Sequence, residues 1–224
     1  MATQLTDDVW QFALRGVNAY LVFDDVPTLV DAGTPLDGSA IQNGLDSAGV
    51  EVSDIERVLL THYDLDHIGA LAALTPELDA TVHAGPFDAD ILTNRRSPPV
   101  TNHKGAFQRL ASVFTTHPSL DVAAVDDGEE VGTFTAYHTP GHTPGHVAYV
   151  STELDVGLLG DLVAESDGAL EASGWAMSYD TAQVRESIRR LAADAPPFEV
   201  ACMGHGTPLR NGGSDALEAL AQRL

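Results

Sequence analysis

The stretch THYDLDHIG at 61–69 holds, within six residues, four side chains that can bind a metal: His62, Asp64, Asp66 and His67. In an extended loop His62 and Asp64 point the same way, and the following turn brings Asp66 and His67 alongside them. Two neighbouring cations can each take two of these side chains. The alternative is an ordinary surface loop in which Asp66 caps the following helix. That alternative explains Asp66 but not the other three side chains. The stretch therefore predicts a metal site.

Two apolar elements enclose this stretch. The run RVLLT at 57–61 is short and continuous, which is typical of a buried strand, and it delivers His62 at its carboxyl end. Apolar residues then recur at helical spacing up to Pro76: Ile68, Leu71 and Leu74. The metal-binding stretch is therefore predicted to be a loop that joins a buried strand to a helix.

The rest of the chain repeats this order of elements. Runs of β-forming residues bounded by turn residues predict strands over 9–15, 18–24, 28–33, 79–84, 121–125, 130–138, 146–151 and 155–160. Helical spacing predicts further helices over 37–49, over 180–196 with Asp180 as the N-cap, and over 214–224. The apolar run FEVACM at 198–203 predicts a second buried strand ahead of His205. This repetition predicts two similar halves with ligands at the strand ends between them.

The composition predicts an ordinary globular core. The chain has 224 residues, of which 44% are apolar, and one cysteine; these values exclude a disordered chain and a disulfide scaffold, and Cys202 is expected to pack in the core. No apolar run approaches the roughly 18 to 20 residues of a membrane helix, and the first residues lack a basic region followed by an apolar one. We expect a single domain over 1–224, a cytoplasmic location and no membrane partner.

The charge balance is strongly acidic. The sequence has 33 acidic residues against 11 basic ones, a net charge of −22, and Lys104 is its only lysine. Hydrated carboxylates whose repulsion is screened by molar salt suit an extremely salty cytoplasm, so the sequence predicts a halophilic protein. A nucleic-acid partner needs a basic surface that this chain lacks. We therefore expect a small-molecule substrate and no nucleic-acid partner.

The motif His62-x-Asp64-x-Asp66-His67 resembles the HxHxDH motif of the metallo-β-lactamase superfamily. The other motifs of that family occur in its order: Asp31 in DAGT, His142 in TPGHTPGH, Asp161 in GLLGD and His205 in GHG. The resemblance runs from about residue 18 to 210 and is specific because five motifs keep their order. It implies an α+β fold, namely a four-layer αββα sandwich of two similar halves with the metal site between them.

The resemblance also implies roles for individual residues. One metal would take His62, Asp64 and His142; the second would take Asp66, His67 and His205; and Asp161 would bridge them. Asp66 would also be the catalytic residue, and Asp31 would support the site from behind. Two readings of His146 remain open: it supports a ligand, or it is a strand-end histidine that bonds a backbone group. The remaining histidines are expected to be ordinary residues: His83, His103, His117 and His138.

One position departs from the family pattern. Asp64 stands where the common motif has histidine, so the first metal would have one more carboxylate and would be a weaker Lewis acid. An added oxygen ligand moves the metal preference from zinc toward harder manganese or iron. In this respect the motif resembles that of the flavodiiron proteins of the superfamily, which carry a carboxylate at this position and hold iron.

The resemblance implies a binuclear metal-dependent hydrolase. A hydroxide bridging two divalent metal ions, zinc first with iron or manganese as alternatives, would attack a small acyl substrate: an ester, a thioester or a lactone. The wording TPGHTPGH is most similar to glyoxalase II-like hydrolases. Three alternatives stay open: an iron-containing oxidoreductase or dioxygenase of the same superfamily, a phosphodiesterase, and a metal-binding protein without activity. Whether the irregular segment 88–118 covers the site also stays open.

Overall fold

The computed structural model describes residues 1–100, 104–105 and 120–224. A seven-stranded sheet holds, in spatial order, β1 (Ala2–Gln4), β2 (Val9–Ala13), β3 (Asn18–Phe23), β4 (Pro27–Val30), β5 (Arg57–Leu59), β6 (Thr81–Ala84) and β7 (Val122–Ala124). The first four strands form an antiparallel meander, and β4 to β7 pair in parallel. The carboxyl ends of β4, β5 and β6 therefore lie at one edge of this sheet.

The second sheet has five strands. Their numbers follow the chain and their spatial order is β14 (Val200–Met203), β11 (Val156–Gly160), β10 (Val147–Ser151), β9 (Phe134–His138) and β8 (Glu130–Val131). The β11–β14 pair is parallel and the other pairs are antiparallel. A separate hairpin consists of β12 (Val163–Ser166) and β13 (Ala169–Ala172). In each sheet, a strand of a parallel pair thus ends just before a motif that contains histidine: β5 before His62 and β14 before His205.

Helices cover the outer faces of both sheets. They are α1 (Gly38–Ser47), α2 (Leu65–Ile68), α3 (Leu71–Leu74), α4 (Pro86–Leu92), α5 (Thr181–Asp194) and α6 (Gly213–Arg223), with 3₁₀ turns at 52–54 and 175–177. The Asp180 carboxylate accepts hydrogen bonds from the Ala182 and Gln183 amides at 2.8 and 3.1 Å, which confirms Asp180 as the N-cap of α5. Within the described residues, no helix is long and apolar enough to span a bilayer.

Alternation along the strands builds four layers. In β3, Ala19 and Leu21 face the core that α1 covers, while Tyr20 and Val22 face the second sheet. The sheet-to-sheet core includes Cys202, which is buried as the sequence predicts. A third cluster packs the far face of the second sheet against α5 and α6. The order helix, sheet, sheet, helix is the predicted αββα sandwich, which is confirmed.

Two local predictions were incomplete. The helix expected after the metal-binding loop is split into α2 and α3, because the amides of Gly69 and Ala70 bond to the carbonyls of Gly33 and Ala32 instead of to the preceding turn. The hairpin of β12 and β13 was not predicted, although the Asp-Gly pair at its tip is a turn signal. Both residues of that pair have positive φ, as a two-residue hairpin turn requires.

Candidate metal centre

The loop that carries the metal-binding stretch is fixed at its first residue, Thr61. The Thr61 amide and hydroxyl donate to the two carboxylate oxygens of Asp31 at 2.9 and 2.8 Å. The Thr61 carbonyl accepts from the Val147 amide of the other sheet at 2.8 Å. Asp31 adopts φ 55 just after β4, a backbone conformation that Asp tolerates better than most residues. The two sheets therefore hold the start of the loop between them.

The first donor group is buried and consists of His62, Asp64 and His142. The Asp64 Oδ2 atom lies 3.4 Å from His62 Nε2 and 3.1 Å from His142 Nε2. His142 arrives from the turn after β9, and the other two residues come from the loop after β5. The structure thus brings together the three residues predicted for the first metal.

The second donor group, Asp66, His67 and His205, lies nearer the surface. His205 Nε2 is 3.5 Å from Asp66 Oδ2, and the His205 side chain is 32% exposed. His67 is buried and also forms a donor group with His62 and Asp161. These contacts bring the three residues predicted for the second metal together at the mouth of the site.

Asp161 lies between the two groups. Its Oδ2 atom is 3.2 Å from His205 Nε2 and 3.4 Å from His142 Nε2, and its Oδ1 atom is 3.4 Å from His67 Nε2. One carboxylate therefore faces histidines of both groups, which is the placement that a bridging ligand needs.

The Nδ1 contacts of four histidines determine where their Nε2 lone pairs point. His67 Nδ1 faces Asp31 Oδ2 at 2.7 Å, and His205 Nδ1 faces the Gly16 carbonyl at 2.6 Å. Both partners only accept, so Nδ1 carries the proton. The Thr61 hydroxyl already donates to Asp31, so it accepts from His62 Nδ1 at 3.0 Å. The Ser173 hydroxyl lies 2.9 Å from His142 Nδ1, and the Lys104 ammonium, which only donates, faces His142 Nε2 at 2.8 Å. In the neutral rings each Nε2 then offers a lone pair to the centre.

His146 is buried but belongs to neither donor group. Its Nε2 accepts a hydrogen bond from the Asp161 amide at 3.2 Å, and its Nδ1 faces the Thr139 hydroxyl at 2.7 Å. Burial holds the pKa of His146 well below its usual value, so the ring stays neutral and can accept. Both readings left open by the sequence describe this arrangement, because the bonded backbone group belongs to Asp161.

Charges within the centre oppose one another. The carboxylates of Asp161 and Asp66 raise the pKa of His205 to about 10. Burial opposes protonation of His67, but the carboxylates of Asp161 and Asp31 still raise its pKa well above the usual value. Burial lowers the pKa of His142 to about 4. A metal cation therefore has to replace protons on some of these rings and meets a free lone pair on others.

Two site residues were not found from the sequence. Asp88 of α4 is buried and accepts from the Tyr63 amide at 3.0 Å and the Thr143 hydroxyl at 3.3 Å, so it joins the two ligand loops. Lys104 Nζ lies 2.8 Å from Asp64 Oδ2 and 2.8 Å from His142 Nε2. The one signal in the sequence for Lys104 was that it is the only lysine of a very acidic chain. No signal in the sequence pointed to Asp88.

The other histidines lie outside the donor groups where they are described. His83 is half-buried on β6, and His138 Nε2 faces the Val125 carbonyl at 2.8 Å. His103 and His117 fall outside the described residues, as does about half of the irregular segment 88–118. Lys104 and Gly105 are the described part of that segment beyond residue 100, and Lys104 contacts the centre.

The donor set fits divalent metal ions. Four buried atoms that face the centre have no hydrogen-bond partner within the described residues: His62 Nε2, His67 Nε2, His205 Nε2 and Asp161 Oδ1. Leaving a buried polar atom unpaired costs about 1–3 kcal/mol, and a bound cation removes that cost. A Cβ at Gly204 would overlap Asp161 Oδ1, so the backbone there leaves room for the donors. The fold and the donors define a protein built to hold divalent metal between two sheets.

Comparison with known proteins gives the family. The sequence profile of the metallo-beta-lactamase superfamily matches residues 13–205. The chain belongs to the metallo-beta-lactamase superfamily, whose members are mostly metal-dependent hydrolases. The resemblance seen in the sequence is thereby confirmed.

Individual relatives agree with this assignment. From Bacillus subtilis (strain 168), the uncharacterized protein YobT is 30% identical over 91% of this chain and 90% of its own length. The probable metallo-hydrolase YflN is 29% identical over 88% of this chain and 81% of its own length. The match to the probable metallo-hydrolase YqjP, 42% identical, spans only 23% of that protein. The structure of TTHA1623 in a di-iron-bound form is 27% identical, with a TM-score of 0.66 and 92% of each chain covered.

Proposed function

We propose that this protein is a binuclear metal-dependent hydrolase of small acyl substrates: esters, thioesters or lactones. The observation that supports the proposal is the convergence of seven donors, each within a group whose ligand atoms lie within 4.8 Å of one another: His62, Asp64, Asp66, His67, His142, Asp161 and His205. One metal would be held by the group of Asp64 and the second by the group of Asp66, with Asp161 shared between them.

Two bound cations would supply a hydroxide at neutral pH and would polarise the acyl carbonyl. The chain's own residues position this chemistry. His62, His67 and His142 are fully buried and orient the centre, while Asp66 and His205 are partly exposed and face the mouth. Asp66 is thus the carboxylate that meets both an incoming substrate and the centre, which supports its role as the catalytic residue.

The charge of the chain supports a small substrate over a polyanion. A net charge of −22 repels nucleic acid. The name of the relative YflN, a probable metallo-hydrolase, agrees with hydrolysis and leaves the acyl class to experiment. We further propose that the protein is halophilic, because its many acidic residues suit high salt. We also propose a cytoplasmic location and no membrane partner.

A second function is favoured by Asp64. Its carboxylate makes the first donor group richer in oxygen, which suits iron or manganese as well as zinc. The relative TTHA1623 was solved in a di-iron-bound form. An iron-containing oxidoreductase of the same superfamily is therefore the alternative, and zinc remains our first choice for the hydrolase.

Elemental analysis of protein purified without added metal, followed by ester, thioester, lactone and phosphodiester assays in high salt, tests both functions. Two zinc ions per chain and turnover of an acyl substrate support the hydrolase. Iron, colour on exposure to air and no acyl turnover support the alternative. One metal or none in fully active protein would contradict the binuclear centre.

Variants of three residues test the proposed roles. Asp66→Asn removes an anionic ligand and is expected to abolish turnover, whereas substitution of His146 removes only a supporting hydrogen bond and is expected to cost less. Asp79→Asn, an exposed aspartate outside the donor groups, is the matched control. Equal activity of the Asp66 and Asp79 variants would contradict the role of Asp66.

A further inference from the structure

Lys104 places its ammonium inside the first donor group. Its Nζ atom lies 2.8 Å from Asp64 Oδ2, 2.8 Å from His142 Nε2 and 3.0 Å from the His142 carbonyl. The side chain is only 6% exposed, and Nζ is 5.8 Å from the centroid of the Tyr179 ring. The only lysine of the sequence is thus buried among metal donors.

The ammonium uses the same atoms that a metal would use. An ammonium only donates hydrogen bonds, so His142 Nε2 is the acceptor and its lone pair is directed at Lys104. Asp64 Oδ2 is the second acceptor. Metal–ligand distances are about 2.0–2.2 Å, so a cation bound to these two atoms would stand in the place of the ammonium. The two cations therefore exclude each other.

The second donor group is free of this competition. Among the described residues, Lys104 makes no hydrogen bond or ion pair with Asp66, His67 or His205. The difference between the groups is therefore a fixed internal cation at one and not at the other. The pairing also explains why this chain has a carboxylate at position 64, where the common family motif has histidine. A carboxylate can form an ion pair with Lys104, whereas a neutral imidazole carries no charge.

We propose that Lys104 is an internal counter-cation that competes with metal for the first donor group. In the protein without metal, its ammonium pairs with Asp64 and His142. A metal ion that binds there displaces the ammonium, which keeps its proton, and coordination bonds replace the two hydrogen bonds. Metal binding at the first group is consequently weaker than its donors alone would give. This inference rests on the donor groups of the proposed function but not on its substrate.

Stepwise metal titration of the full chain tests the competition. Zn²⁺ and Mn²⁺ are titrated against a chelating dye, and bound metal is counted by elemental analysis. If Lys104 occupies the first group about nine tenths of the time, metal binding at that group is weakened about tenfold, and Lys104→Met recovers that factor. Arg189→Met removes one exposed positive charge from α5 and is expected to change neither step. A wild type that binds one metal and a Lys104 variant that binds two also supports competition.

A second readout uses the wild type and needs no variant to fold. An amine-acetylating reagent can modify only Lys104 and the amino terminus, so the amino terminus is an internal reference in mass spectrometry. Labelling of Lys104 is expected to be slow without metal and faster once both groups are filled. Fast labelling without metal, labelling unchanged when two metals are bound, or a folded Lys104→Met variant that binds metal no more tightly than the wild type would overturn the proposal. Neither measurement uses turnover, so a failed acyl assay leaves the inference standing.

Discussion

The Asp31 carboxylate lies 2.7 Å from Nδ1 of His67 and also accepts from the amide and hydroxyl of Thr61. One buried side chain thus fixes the first residue of the metal-binding loop and the ring orientation of a ligand six residues beyond it. His67 Nε2 in turn faces Asp161 at 3.4 Å. Asp31 therefore acts on the centre through His67 without belonging to a donor group, and it is a positioning residue.

We predict that Asp31→Asn weakens metal binding about 10- to 100-fold. The amide NH₂ would meet either the Thr61 amide or His67 Nδ1, and in both places two donors would face each other, so either the loop or the ligand ring would lose its fixed position. Asn tolerates the positive φ of this position, so the backbone adds little strain. Metal affinity is measured by dye competition, with exposed Asp46→Asn as the control. Wild-type affinity in the Asp31 variant would show that His67 is oriented by something else.

A second prediction concerns the backbone under the centre. Gly204→Ala would push a Cβ into Asp161 Oδ1 and His67 Cε1, whereas Gly174→Ala meets no atom within 4 Å. We expect the first variant to lose about 1–3 kcal/mol of stability and most of its metal, since crowding displaces two ligands. The second is expected to match the wild type. Thermal unfolding and elemental analysis of both variants provide the measurement, and normal metal content in Gly204→Ala would contradict the packing argument.

Local spacing predicted the loop after β5 with its four possible ligands, and short apolar runs predicted its position at a strand end. The remaining three ligands came only from the resemblance to the family: His142, Asp161 and His205. Lys104 contacts His142 across 38 positions, and Asp88 reaches Tyr63 across 25. Such pairs depend on how the sheets pack. The split between α2 and α3 has the same origin, because the competing carbonyls belong to Ala32 and Gly33.

We predict that Cys202 is unreactive in the folded protein. Its thiol lies in the core between the sheets and is 1% exposed, and burial raises its pKa far above the usual value. The reactive thiolate therefore does not form at neutral or mildly alkaline pH. Iodoacetamide should modify the native protein negligibly and should add one label per chain after denaturation, as measured by mass. Rapid labelling of the native protein would contradict the packing of β14.

We predict that stability rises with salt. With 33 acidic residues against 11 basic ones, net repulsion opposes folding, and counterions screen it. Salt also weakens attractive pairs such as Arg190 with Asp127 at 3.1 Å, but such exposed pairs contribute only about 0–1 kcal/mol each. The melting temperature should increase from dilute buffer to molar KCl. A flat or falling melting temperature would contradict the halophilic reading and would leave the acidic surface to another cause, such as a basic partner.

The last prediction concerns Asp64→His, which restores the ligand of the common family motif and raises the formal charge of the centre by one. A more positive centre lowers the pKa of bound water further, so the rate is expected to begin rising at lower pH, and metal preference is expected to shift from manganese or iron toward zinc. The variant also removes the carboxylate that pairs with Lys104 at 2.8 Å. Competition between Zn²⁺ and Mn²⁺, with a pH–rate profile, measures both effects. Loss of the first metal would show that the longer imidazole does not fit beside His62 and His142. Retention of both metals with unchanged preference and an unchanged profile would show that Asp64 is not a ligand and would leave it as a loop or cap residue.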